Sequence, residues 1–247
     1  MNKLFTNNFI TTNLYSKKSA NSKIVSQMIY GDHFSIIKKK KNWWKIKIRE
    51  DGYVGYIKKR NFSSNFRQTH KVSVLSANFY KYPNNKKKIG KISFGSKMRF
   101  EKEKNGFIRF DNKWIKRKSL KNISHKNKNI FSNIKIFKGV KYRWGGKSYK
   151  GIDCSALIQV FINYNNTYCP RDAKDQLKYF KKNVLLKNLK KNDLIYWKGH
   201  VGLAISKKKI IHAYGPKKKC VIMDISSTIK LIKKTAKLNI LAIKRIS

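Results

Sequence analysis

A chain of 247 residues has room for one large domain or several small ones, and 40% hydrophobic content with 13% aromatics is enough to build packed cores. The formal charge of +49, from 60 Lys and Arg against 11 Asp and Glu, points by itself to an anionic partner. Lysine far outnumbers arginine, however, and its runs at 38–41, 86–88, 207–209 and 217–219 are scattered, whereas nucleic-acid readers concentrate arginine forks on one element. The charge therefore reads as a solvated surface, and no specific nucleic-acid partner is expected. Three cysteines without paired spacing exclude a disulfide framework, and the lack of CxxC or HExxH patterns leaves no expected metal or other cofactor. No apolar stretch approaches the roughly 18 residues of a membrane span, and the N-terminus lacks an apolar signal core. A soluble, cytoplasmic protein is the expectation.

In chain order, residues 1–62 read as five short strands: Phe9–Leu14, Gln27–Tyr30, His33–Ile37, Trp43–Ile48 and Tyr53–Ile57. They are rich in β-branched and aromatic residues and broken at Gly31-Asp32, Lys41-Asn42 and Asp51-Gly52. Five strands in so short a length predict a small closed barrel. A second copy follows at a spacing near 64, placed at 65–122. There Phe94-Gly95-Ser96-Lys97-Met98 answers Tyr30-Gly31-Asp32-His33-Phe34, and Phe107-Ile108-Arg109-Phe110 answers Trp44-Lys45-Ile46-Lys47. Both copies resemble bacterial SH3 domains, which implies small β-barrels. Residues 119–128, rich in Lys and Asn, predict a linker.

From 129 to 247 the pattern becomes mixed. Helices are expected at 129–138, from Cys154 to Tyr164, and from Pro170 onward. Strands are expected at Asp193–Trp197, His200–Ile205, Ile210–Tyr214, Cys220–Ile225 and near Ile240–Ile246. Helices followed by strands make this an α+β domain.

Its chemistry centres on Gly151-Ile152-Asp153-Cys154-Ser155. A cysteine that opens a helix faces free N–H groups and the positive end of the dipole, which predicts a thiol pKa below the usual value of about 8.5. Two downstream histidines, His200 and His212, lie on neighbouring predicted strands an even number of residues apart, so an odd-length hairpin loop puts both on one face. A turn centred on Ser206 sets them opposite, roughly 5 Å apart. One centred on Lys208 offsets them by about 13 Å. In the closer arrangement His200 takes the thiol proton and later protonates the leaving amine, while His212 holds the His200 ring in its working tautomer.

These segments, with Tyr142-Arg143-Trp144-Gly145-Gly146, Pro170-Arg171-Asp172-Ala173-Lys174-Asp175-Gln176, Asp193-Leu194-Ile195-Tyr196-Trp197 and Gly199-His200-Val201-Gly202, resemble in order the NlpC-type papain-like cysteine peptidases, which cut bacterial peptidoglycan peptides. The resemblance implies a papain-like catalytic domain preceded by two SH3-like barrels, with Cys154 as nucleophile, His200 as base and His212 as orienting residue. It implies that the Tyr142 hydroxyl faces the nucleophile and helps hold the oxyanion, beside the Cys154 N–H. Ala156 stands where the family often has glycine, and Ala173 where serine or threonine is common.

Members similar to dipeptidyl-peptidase VI carry N-terminal SH3-like domains, the first of which walls off the cleft and reads the free amine of a murein peptide. Ser26 to Asp32 and Asp51 to Tyr56 look like the matching segments. Asp32 or Asp153, with the Tyr53 hydroxyl and Ser155, is the expected ammonium site, and Arg171 a further substrate contact. The resulting expectation is hydrolysis of the γ-D-glutamyl–diamino acid amide of murein peptides in cell-wall recycling. An amidase or acyltransferase on the same fold, or a non-catalytic basic binding protein, are the alternatives.

Overall fold

The structure is a computed structural model and describes residues 3–246. Strands Leu4–Thr6, Thr11–Tyr15, Ile24–Ile29, His33–Lys39, Trp43–Ile48, Val54–Lys58 and Ser63–Ser64 form one antiparallel sheet. Alternation along these strands sends Leu14, Met28, Phe34, Ile46, Ile48 and Ile57 into a shared core closed by Phe62. The described pairings run as an open series from Ile24–Ile29 to Ser63–Ser64, so the ring closure expected of a barrel is not among them. The strands from His70–Val72 to Leu120–Asn122 form a five-stranded and a three-stranded sheet over Val72, Phe79, Ile92, Met98, Ile108, Phe110 and Ile115. The linker therefore starts later than its composition suggests: Leu120 is buried and pairs with Val72.

The remaining residues form a five-stranded antiparallel sheet with three helices. Its strand order is Lys219–Asp224, Lys209–Tyr214, His200–Ala204, Asp193–Trp197, Ala242–Arg245. Helix α1, Cys154–Tyr164, packs across the strands carrying His200 and His212; α2 is Ala173–Tyr179 and α3 Ile225–Ala236. The helix expected at 129–138 is instead a 3₁₀ turn at Ile134–Phe137. The buried residues in and around it, Phe131, Ile134, Phe137 and Val140, recur every third position, the 3₁₀ period rather than the α period. Helix α3 was not expected. The β-rich run before it leads straight in, and only Ile225, Thr228 and Ile232 mark a buried helical face.

Both N-terminal units dock on α1. From the second, Phe94 stacks on Phe161 and Tyr164 with ring centroids 4.7 Å from each. The buried Lys71 ammonium donates to the Tyr164 and His125 carbonyls, placing a cation at the negative end of α1. From the first, the Gln27 side-chain oxygen accepts the Lys147 N–H at 3.0 Å, and Gln159 of α1 donates to Asp51 at 3.1 Å. Gly145 marks a close approach of the first unit to the catalytic domain. Its φ is +73°, and a Cβ there would sit 2.8 Å from the Ile24 carbonyl oxygen.

Gly145→Ala is expected to lower unfolding stability by about 1–3 kcal/mol, since it adds left-handed strain to a backbone clash. Urea denaturation checks this, and an unchanged midpoint would contradict the docking.

Candidate active site

Asp153 is the N-cap of α1. Its Oδ1 accepts the Ala156 N–H at 2.8 Å, which fixes the first turn and so the direction of Cys154. Both carboxylate oxygens also accept the Arg171 guanidinium, at 3.0 and 2.6 Å, and Oδ2 takes the Gly145 N–H at 2.9 Å. Arg171 is buried and continues to the Ser26 and Ser155 hydroxyls, at 3.1 and 3.0 Å. Removing either partner of this dry, bidentate pair would strand a buried charge.

The hairpin pairs Leu203 with Ile211 and Ala204 with Ile210, so its turn is centred on Lys207, between the two alternatives drawn from sequence. The same register sets His212 beside Gly202, two residues from His200 and on its face. At that diagonal the His200 Nε2 and His212 Nδ1 are 2.8 Å apart. Gly202 makes room: a Cβ there would lie 2.4 Å from the Ile210 side chain and 3.3 Å from the His212 Cβ. Tyr214 stacks on His212 at 4.9 Å, and Trp197 packs 5.7 Å from His200, so the pair sits in an aromatic surround. The Cys154 Sγ lies against the main chain flanking His200, 4.0 Å from the Gly199 carbonyl oxygen and near the Val201 N–H. The Cys154 N–H takes part in none of the described hydrogen bonds.

The expectation of a lowered thiol pKa is corrected. Burial pushes the Cys154 thiol up to about 12, and the adjacent Asp153 carboxylate adds to the rise, overriding the N–H groups of Ser155 and Val201. Burial also drives His200 down to about 4 and His212 down to about 3. At rest the thiol and both imidazoles are therefore neutral.

Cys154 opens on a cavity of about 250 Å³ whose walls include Val25 and Tyr53 of the first unit, Tyr142, Trp144, Ser155 and Asp172. Tyr142 lines it, its hydroxyl held protonated by burial and by nearby Cys154 and Asp153. Asp153 and Ser155 also border the cavity, but their polar atoms are committed to Arg171, which is itself a positioning group rather than a free contact. Asp32 does not reach the cleft, which corrects that expectation. It is buried elsewhere, its Oδ2 accepting the Ile29 N–H at 2.9 Å and lying 3.7 Å from the Lys147 ammonium, and burial raises it to about 6. The carboxylate in its place is Asp172, which sequence reading treated only as part of a helix start. It shares the cavity wall with Tyr53, is raised by burial and joins no described ion pair. Its only signal was its place beside Arg171 in the matching segment.

Residues 139–236 match the family model described as NlpC/P60, and residues 14–61 match the bacterial dipeptidyl-peptidase SH3 domain. The C-terminal domain belongs to the NlpC/P60 family. The chain is 26% identical to the gamma-D-glutamyl-L-lysine dipeptidyl-peptidase of Bacillus subtilis, across 83% of this chain and 77% of that one. It is 33% identical to dipeptidyl-peptidase 6 of Lysinibacillus sphaericus across 34% of this chain and 31% of that protein. A solved NlpC/P60 family structure from Bacillus cereus superposes with a TM-score of 0.83 over 98% of this chain and 99% of that one, at 18% identity, which places the fold. The chain is a cysteine peptidase of the NlpC/P60 kind with an N-terminal SH3 domain. Among the described residues, no helix is long and apolar enough to cross a membrane, and no group of three or more His, Cys, Asp or Glu is placed to hold a metal.

A thiol raised to about 12 is almost wholly protonated at neutral pH, and its thiolate fraction grows about tenfold per pH unit below that value. Iodoacetamide labelling of Cys154 in this NlpC/P60 domain is therefore expected to keep accelerating through pH 9. A plateau below pH 7 would reveal a preformed thiolate instead.

Proposed function

We propose that the chain hydrolyses the γ-D-glutamyl–diamino acid amide of murein peptides that carry a free N-terminal L-Ala, through a thioester on Cys154, in the turnover of cell-wall peptides. One observation carries the substrate reading: the cavity beside Cys154 is bounded by the first SH3 domain, with the Asp172 carboxylate and Tyr53 hydroxyl within it. A wall with an unpaired carboxylate suits an ammonium and halts a peptide a short distance past the nucleophile. The name of the Bacillus subtilis relative supports the same reading.

In this mechanism the Cys154 sulfur attacks the γ-carbonyl carbon as its proton passes to His200. Because burial weakens His200 as a base, the transfer accompanies attack rather than preceding it. The His200 Nε2–H donates to His212 Nδ1 across 2.8 Å, which keeps the ring oriented while it is charged. The Cys154 N–H and Tyr142 hydroxyl face the carbonyl oxygen as it becomes an oxyanion. The tetrahedral adduct collapses with cleavage of the C–N bond. His200, an acid strengthened by its dry setting, protonates the leaving amine of the diamino acid. Water then adds to the thioester with His200 again as base, releasing L-Ala-D-Glu and the Cys154 thiol.

Incubation with L-Ala-γ-D-Glu-L-Lys and its diaminopimelate counterpart tests the reaction, with release of L-Ala-D-Glu expected from the wild type and none from Cys154→Ala. A charge-assisted bond to the ammonium contributes about 1.5–3 kcal/mol, so N-acetylating the substrate is expected to lower kcat/KM by roughly 10- to 150-fold. Asp172→Asn is expected to lower it comparably on the free peptide and hardly at all on the acetylated one. Equal turnover of free and acetylated peptides would contradict the amine reading.

A further inference from the structure

We propose that the seam between the first SH3 domain and the catalytic domain holds a second binding site, for phosphate-type oxyanions. The seam contains a cavity of about 180 Å³ whose walls include Thr11, Tyr15, Lys58 and Arg60 from the SH3 side and Arg143 and Lys150 from the catalytic side. Its four cations face no carboxylate. The other four described cavities each include at least one acidic residue: Asp172 at the catalytic cleft, Asp32, Glu103 and Asp224.

With 60 basic residues against 11 acidic ones, positive surface alone distinguishes nothing. The construction of this cavity does. Arg143 is half-buried, its stem packed so closely over Gly151 that a Cβ there would lie 2.6 Å from the Arg143 Cβ. Among the described residues, the Arg143 guanidinium and the Lys58 and Lys150 ammoniums enter no side-chain hydrogen bond or ion pair. Arg60 is held with its guanidinium 4.9 Å from the Phe9 ring centroid. Gln27 at the cavity wall is buried and fixed, donating to the Asn13 side chain at 2.8 Å and accepting the Lys147 N–H at 3.0 Å. The four cations thus border one concavity with no carboxylate among its lining, and an anion bound there would offset their mutual repulsion. Two guanidinium forks and two ammoniums carry more charge than one carboxylate neutralises, and the forks match phosphate oxygens two at a time. The Thr11 and Tyr15 hydroxyls add neutral donors at the same place. Such a ligand comes either as a small free anion or as a phosphodiester polymer.

Calorimetric titration of the full chain with pyrophosphate at low salt tests the site. A single saturable event is expected, weakened roughly tenfold or more in the double variant Arg60→Gln/Arg143→Gln. It should persist in Lys86→Gln/Lys87→Gln, which removes the same charge from an exposed loop of the second unit. If the arginine variant fails to fold, Lys58→Gln/Lys150→Gln, on exposed side chains, must show the loss. Equal weakening by both kinds of variant, or no saturable binding to the wild type, would overturn the proposal. A parallel titration with poly(glycerol phosphate) names the source. Tighter binding per phosphate than pyrophosphate assigns the site to a polymer, and weaker binding assigns it to a small anion; either outcome supports the site provided the arginine variant loses it.

Discussion

Asp153 holds the cysteine helix by its first turn and the Arg171 guanidinium by both oxygens, and the working parts of the molecule meet on that pair. Through Arg171 the pair reaches Ser26 of the SH3 domain; through Gly145 it fixes the loop that follows Tyr142. The cleft wall, Cys154 and the cavity-lining Tyr142 are thus set relative to one another by one buried ion pair. Its charges are expensive to bury and become tolerable because all three guanidinium nitrogens and both carboxylate oxygens find partners. The same carboxylate helps keep the thiol protonated, so the contact that aims Cys154 also quiets it until a substrate arrives.

In the proposed mechanism, activation falls to the histidine hairpin. Dry surroundings depress both imidazoles, which makes His200 a reluctant base and a willing acid. That balance suits amide cleavage, where expulsion of a poor amine leaving group needs a proton delivered on time. The 2.8 Å contact to His212 gives the transient charge a partner without placing a permanent anion beside the thiol.

Much of this was legible in the chain. Period-two alternation gave the strand carrying Trp43 to Ile48 at its observed bounds, and a cysteine before an apolar 3.6-residue pattern gave the start and end of α1. The even spacing of His200 and His212 fixed their shared face, although the turn residue that decides their distance lay among three lysines with nothing to choose between them. Local pattern failed where long-range burial decides. The thiol pKa follows from how deeply the folded chain buries Cys154, which no stretch of residues records. In sequence, Asp32 reads as a cleft carboxylate and Asp172 only as part of a helix start; docking shows the first paired near Lys147 and the second lining the cleft. Helix α3 hid behind a strand whose β-branched residues run into it.

The central claim is that the Cys154 sulfur becomes the acyl carrier for a peptide whose amine end lies against the SH3 wall. A chloromethyl ketone built on L-Ala-γ-D-Glu tests this most directly, followed by peptide mapping of the inactivated chain by mass spectrometry. The account expects one adduct, on Cys154, formed more slowly when free L-Ala-γ-D-Glu-L-Lys competes. Full inactivation with Cys154 unmodified, or labelling shared with the buried Cys169 and Cys220, would contradict it.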